Sequence, residues 1–376
     1  MQNNSINYFI LEEILKNTAV LILLFSFLFF AKKKFGFSNR TLLALCVSAC
    51  FPFFLIGYLF DLNYMYDLKI YKDNIVAFRE FNFSAIWPYN TKNLAFVGLY
   101  SAIPIPFLDN IMRIGFASKL IYLVFIIYLI ANKHIKDNSF SLLVLIFWPS
   151  IILYSSLGLR EMAVFILTFF SFKSLIEKKL IIWVFVMIIL AFIKPQNAGI
   201  LLILSIIYTS IVYFKNMSYY LVISISLVIY WIKDFINILG TTMETLNIYR
   251  YALYEEDDNL ENFSELTYNY DLLLEFIVGA FYFTLTPFLW ATQSSFQLIQ
   301  SLENLVVISL LLFEGLKSYK TDKWTTIFII FGLFFFAGSY GLVSSNLGTI
   351  ARWRFPMFAT SLLLFYCINN KSIKFK

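Results

Sequence analysis

Charge is scarce in this sequence. Of its 376 residues, 14% are Asp, Glu, Lys or Arg, against roughly 25% in a soluble domain. That scarcity excludes an ordinary water-soluble enzyme and any sizeable soluble domain. Histidine is nearly absent, since His134 is the only one. A Ser-His-Asp arrangement is therefore possible only where His134 sits. Cysteine is equally rare. Cys46, Cys50 and Cys367 all lie inside apolar runs, and the first two are four residues apart on one helix, a packing position. Neither a disulfide nor a metal site is expected. A Gly-rich phosphate loop is missing, and no cleavable signal with a small-residue site is expected. The net charge of +6 comes mostly from loop lysines, so it does not imply a nucleic-acid partner.

What the sequence has is apolar length. It is 60% hydrophobic and 20% aromatic, with a mean hydropathy of +0.76. Many runs approach the ~20 residues that cross a bilayer as a helix. Lipid offers the backbone no hydrogen-bond partner, so the expected class is all-α: a polytopic integral membrane protein, one transmembrane domain over residues 1–376. Lysine sets its orientation. Lys32, Lys33 and Lys34 follow a first span at 8–31. Lys133 and Lys136 follow a span at 114–131. Lys173, Lys178 and Lys179, then Lys215, then Lys317, Lys320 and Lys323, then Lys371, Lys374 and Lys376 mark the remaining cytoplasmic turns. Two apolar stretches break the parity. Residues 94–111 are interrupted by Pro104 and Pro106, and residues 272–290 contain Pro287. Both read as interfacial or re-entrant pieces; the second would be a full span if Lys317 to Lys323 were outside. The resulting map has about eleven transmembrane helices, the N-terminus outside and the C-terminus inside. Outer loops fall at 61–113 and at 233–304, the latter with an interfacial segment. The second of these holds nine acids between residues 233 and 271 against Lys233 and Arg250.

Arginine follows a different rule. Arg40 is inside, whereas Arg79, Arg113, Arg160, Arg250, Arg352 and Arg354 all fall on the outer side of this map. Guanidinium suits phosphate, because its planar fork gives paired charge-assisted hydrogen bonds. The plainer reading is headgroup contact and ion pairing. In Asn346 to Pro356 the chain reads NLGTIARWRFP. A residue before proline avoids the helical region, so Ile350 to Phe355 is expected to be extended or turned. Arg352 and Arg354 would then point the same way and form one clamp. In Trp148 to Glu161 a span ends in small polar residues and a glycine, and the next begins at once with Arg160 and Glu161. Glu161 is a candidate base toward a hydroxyl. The alternative is a carboxylate that favours a helix N-terminus. Lys194 opens a tight outer hairpin and is a candidate phosphate contact. Tyr249, Arg250, Tyr251 and Tyr254 read as sugar-stacking positions or as an aromatic belt.

These motifs resemble the Wzy-type O-antigen or oligosaccharide repeat-unit polymerases of bacterial surface polysaccharide synthesis. The resemblance rests on the element P-S-x-x-x-Y-S-S-x-x-x-R-E from Pro149 to Glu161, on N-x-G-x-x-x-R-x-R from Asn346 to Arg354, and on the acidic late loop. It implies a GT-C-like helical fold in the bacterial inner membrane, with the active site facing the periplasm. It also implies transfer of a growing glycan from undecaprenyl diphosphate onto a lipid-linked repeat unit, without a cofactor, nucleotide sugar or metal. The partners implied are the lipid-linked oligosaccharide and membrane lipid, with a chain-length regulator and a flippase alongside. In that chemistry Arg160, Arg352 and Arg354 stabilise the leaving diphosphate, with Arg250 and Lys194 as secondary contacts and Tyr249 and Tyr251 on the glycan. The base is Glu161 or Asp67. Two alternatives are a GT-C-type glycosyltransferase using a lipid-phosphate sugar and a lipid-linked oligosaccharide flippase. The flippase should carry charged residues within its spans, and on this map the spans have almost none. An O-antigen ligase would need an outer-face histidine, which the sequence does not offer.

Overall fold

A computed structural model describes residues 2–56, 66–82, 91–213, 243–256, 263, 265–266, 270–292, 294–344 and 347–371. The expected span near 219–232, the acids Asp257, Asp258 and Glu261, and the side chains of Asp67 and Tyr249 lie outside the described residues. Among those described, all regular structure is helical. The helices are α1 (Gln2–Phe35), α2 (Asn39–Phe54), α3 (Tyr66–Arg79), α4 (Thr91–Ser101), α5 (Ile111–Ala131), α6 (Phe140–Phe147), α7 (Pro149–Ser156), α8 (Arg160–Ile176), α9 (Leu180–Ile193), α10 (Pro195–Tyr213), α11 (Met243–Glu256), α12 (Tyr270–Leu285), α13 (Ser295–Thr321), α14 (Lys323–Gly341) and α15 (Leu347–Asn369). Four helices are long and apolar enough to cross a membrane: Leu11–Phe35 within α1, and α5, α13 and α14. The bent pair α7 and α8 makes a fifth if counted as one span. Shorter apolar helices cover Asn39–Phe54, Leu180–Ile193, Pro195–Thr209 and Leu272–Leu285. The chain is a membrane-embedded helical protein.

Contacts group it into two units. One comprises residues 1–167, 188–194 and 370–374; the other comprises 168–187, 195–369 and 375–376.

In the first unit the loop residues explain which helix ends lie together. Ser38 caps α2 through Thr41 N, and its own N–H donates to Asp137 Oδ2 at 2.7 Å. Asn370 donates to the His134 carbonyl at 3.1 Å. The stretches around Ser38, Lys133–Asp137 and Asn370, all expected on the cytoplasmic side, therefore share one end of the unit. At another end Arg113, buried in the first turn of α5, pairs with Glu13 of α1 at 3.0 Å and Asp109 at 2.6 Å. Asp109 falls in the loop that the sequence map puts outside, and Glu13 lies within the first span of that map, in its N-terminal part.

The break between α7 and α8 follows from Leu157-Gly158-Leu159. Gly158 has φ +70°, a conformation that costs glycine little and other residues much, and the two helices bend by 114° across it. The break reaches α5 because Gly115 has no side chain. A Cβ there would overlap the Ser156 carbonyl oxygen and the Ile56 side chain. The overlapped oxygen is backbone and cannot swing away. Gly115→Ala is therefore expected to lower the level of inserted protein sharply, by a cost of about 1–3 kcal/mol for overpacking, as read by detergent-solubilised yield and melting temperature.

In the second unit α12 packs lengthwise on α14. The Phe276 ring covers Gly338, Gly279 meets Gly341 backbone to backbone, and Phe283 stacks on Tyr340 at 5.9 Å. At the other end of this unit Asn369 donates to Glu314 Oε2 at 2.6 Å, and Ser318 donates to Asn369 Oδ1 at 3.0 Å. These bonds tie the C-terminal turns of α13 and α15, which the sequence map puts on one side. Arg79, in the first unit, fixes the turn after α4: its guanidinium donates to the carbonyls of Ser101, Ile103 and Ile105 at 3.2, 2.7 and 2.9 Å. The prolines at 104 and 106 lie in or just after that turn, which is why the 94–111 stretch yields an 11-residue helix and no span.

Candidate functional sites

The first unit places Arg160 and Glu161 at the start of α8, immediately after the break. Glu161 is fully buried. It occupies the first helical turn, where backbone N–H groups favour a negative charge, so the dipole and the base reading apply to the same carboxylate. Arg160 is half-buried. Among the described residues it has no ion-pair partner, and its buried Nε has no hydrogen bond. Its proximity to Glu161 is sequential: neighbours on a helix diverge.

A third group joins them that the sequence did not suggest. Tyr100, near the end of α4, is fully buried. Burial pushes its phenol well above the ordinary tyrosine range. The Ser118 hydroxyl pulls it back somewhat, and the nearby Glu161 carboxylate pushes it higher. Tyr100 is therefore held as a neutral O–H close to the candidate base. The Tyr100 hydroxyl makes no hydrogen bond among the described residues, so it is available to donate to a hydroxyl that approaches the carboxylate.

Lys119 is a buried cation outside these motifs. It lies in α5, one of the helices long and apolar enough to cross a membrane, and is fully buried. Its Nζ donates to Ser155 Oγ at 2.6 Å and to Ser48 Oγ at 3.4 Å. The expectation that the spans carry almost no charge is corrected on this residue. The signal was present in Gly115-Phe116-Ala117-Ser118-Lys119-Leu120, an ionisable residue well inside an apolar run.

In the second unit the arginine clamp takes a different form. Residues 347–369 are one helix, α15, with Pro356 inside it. Ile350 to Phe355 are thus helical and not extended. Pro356 removes the amide that would bond the Arg352 carbonyl, but it does not end the helix. On a helix, residues two apart point about 200° away from each other, so Arg352 and Arg354 cannot close on one ligand as a pair. Arg354 is buried, and its Nη1 donates to the carbonyls of Phe283, Thr284 and Thr286 at 3.0, 3.0 and 2.6 Å. Those oxygens belong to the C-terminal end of α12 and the residue after it, where a helix leaves carbonyls unbonded. Asn304 also donates to Thr286 O, at 2.6 Å. Arg354 is a helix cap made from a distant side chain. Arg352 is half-buried on another face of the same helix. Trp353, between them, packs on Tyr340 at 4.9 Å, and Tyr340 donates to Asn197 Oδ1.

The remaining expectations divide. Lys194 is buried in the first unit. Arg250 is buried in the second, within 5.8 Å of the ring centres of Tyr254 and Phe263. Tyr251 is 44% exposed and meets Phe263 edge-on at 5.4 Å. Phe263 therefore organises this aromatic group, whereas the sequence pointed to tyrosines alone. The outer-arginine asymmetry is also partly structural, since Arg79, Arg113 and Arg354 hold carbonyls or carboxylates of the fold itself. Among the described residues no group of three or more His, Cys, Asp or Glu side chains could hold a metal ion. Comparison with protein-family models, with curated proteins and with solved structures finds no match to this chain.

Proposed function

We propose that this protein is a Wzy-type polymerase of a surface polysaccharide. It transfers a growing glycan from undecaprenyl diphosphate to a lipid-linked repeat unit at the outer face of a bacterial inner membrane. The observation that carries the reading is the fully buried Glu161 carboxylate directly after a broken helix, with Tyr100 beside it and Arg160 without an ion-pair partner among the described residues. Glycosyl transfer needs an acceptor hydroxyl deprotonated and a leaving diphosphate stabilised. Glu161 supplies the first. Arg160 supplies the second by its charge, without a metal or nucleotide sugar, and Arg352 keeps the diphosphate role that the sequence motif implies. Arg250 and Lys194 are further phosphate contacts, Tyr249 and Tyr251 contact the glycan, and Asp67 is the second choice of base. Arg354 holds Arg352 in place through α15 and does not touch the phosphate.

The reading includes eleven spans with the N-terminus outside. Reporter fusions after Lys34, Lys136, Lys179, Lys320 and Lys376 are expected to read cytoplasmic, and fusions after Lys72, Asp258 and Thr349 periplasmic. A cytoplasmic Asp258 would remove the outer face from the argument. A periplasmic Lys320 would make the segment around α12 a true span.

Lys119 favours a second reading, a flippase for lipid-linked oligosaccharide, because a buried charge within a span often lines a transport path. Loss of the gene separates the two. A polymerase mutant makes lipopolysaccharide core with one repeat unit, whereas a flippase or sugar-transferase mutant makes core alone.

A further inference from the structure

A lysine buried among apolar helices is costly unless something answers its charge. Around Lys119 the fold supplies hydroxyls and rings. Ser155 and Ser48 accept two of its three N–H groups. The ammonium also lies 5.7 Å from the centre of the Phe51 ring and 5.6 Å from that of Tyr122, within cation–π range. Among the described residues no carboxylate comes within 4 Å of it.

The neighbouring groups are also donors. Ser156 follows Ser155 at the end of α7; it is fully buried, and its hydroxyl has no hydrogen-bond partner among the described residues. Gly115 brings this end of α7 against α5, one turn from Lys119. Among the described residues the Lys119 ammonium meets only hydroxyl acceptors and the Ser156 hydroxyl meets none, so the group is short of a negative acceptor. A ligand that completes such a site is an oxyanion.

We infer that Lys119, with Ser48, Ser155 and Ser156, forms an intramembrane binding site for a phosphate group of the lipid-linked substrate. This rests on the polymerase reading above. It also gives the buried ammonium a ligand that answers its charge. An uncompensated buried charge lowers the stability of the empty protein, and a replacement of the same length without charge removes that cost.

The test uses the full-length protein in phosphatidylcholine nanodiscs, with undecaprenyl diphosphate as the probe and native mass spectrometry as the readout. Lys119→Met keeps the stem and loses the charge. The expected result is at least tenfold weaker retention of undecaprenyl diphosphate, with a melting temperature equal to or above that of the unaltered protein. Lys119→Arg is expected to regain part of the binding. Retention by Lys119→Met within twofold of the unaltered protein overturns the inference. So does a fall of several degrees in melting temperature alongside lost binding, because that marks a structural lysine. Displacement of the probe by excess phosphatidylglycerol overturns the substrate assignment in favour of ordinary lipid headgroups; undiminished retention supports it. The polymerase reading fails separately, if gene loss leaves core alone while the unaltered protein still binds the diphosphate through Lys119.

Discussion

Replacing Glu161 with glutamine is expected to abolish long glycan chains while the protein still inserts at normal level. The two side chains are nearly the same shape, so the packing at the start of α8 survives. What goes is the ability to accept a proton. General-base catalysis is worth roughly 10²–10⁴ in rate, or about 3–5 kcal/mol of transition-state stabilisation. A loss of that size turns a long ladder into core plus one repeat unit. Tyr100→Phe is a milder companion, because it removes the phenolic O–H beside the carboxylate and leaves the ring. A normal ladder from the Glu161→Gln protein would move the base to Asp67.

Arg352→Lys and Arg354→Lys are expected to fail in different ways, and the difference distinguishes a ligand contact from a helix cap. Arg354 bonds three carbonyls through one nitrogen. A lysine ammonium at that site can reach fewer of them. Each buried acceptor left unmet costs about 1–3 kcal/mol, against a total stability of roughly 5–15 kcal/mol. Arg354→Lys protein should therefore accumulate poorly, as seen on an immunoblot of membranes. Arg352→Lys should accumulate normally and polymerise slowly. A lost charge-assisted bond of ~1.5–3 kcal/mol slows transfer about ten- to hundredfold. Arg40→Lys, from the side expected to be cytoplasmic, should change neither. Equal abundance of all three proteins with full-length ladders would leave the outer arginines with no role in binding.

The helical class was legible in the sequence because lipid permits few alternatives. Run length and lysine placement carry that information locally, and the bonds of Ser38 to Asp137 and of Asn370 to His134 bring expected same-side stretches together. The break before Arg160 was legible too, since Leu-Gly-Leu after two serines ends one helix and frees the next. The arginine clamp was not. The rule for residues before proline gave Ile350 to Phe355 an extended backbone, but tertiary packing of α15 overrode that local preference. Arg354 then found its acceptors some 70 positions earlier in the chain, where no spacing rule reaches. Arg113 likewise meets Glu13 across a separation of 100 residues. Tyr100 was invisible for a related reason: its meaning comes from Glu161, and only folding places the two together. Lys119 is legible in the sequence alone, as an ionisable residue well inside an apolar run.

The most direct test is polymerisation by the purified protein in phospholipid vesicles. The substrate is an undecaprenyl diphosphate-linked repeat unit, supplied without nucleotide sugar and in the presence of a metal chelator. Products are expected to lengthen by one whole repeat unit at a time, with one undecaprenyl diphosphate released per glycosidic bond, and the Glu161→Gln protein should give none. Failure to lengthen this substrate, with transfer of single sugars from a lipid monophosphate donor instead, would contradict the assignment.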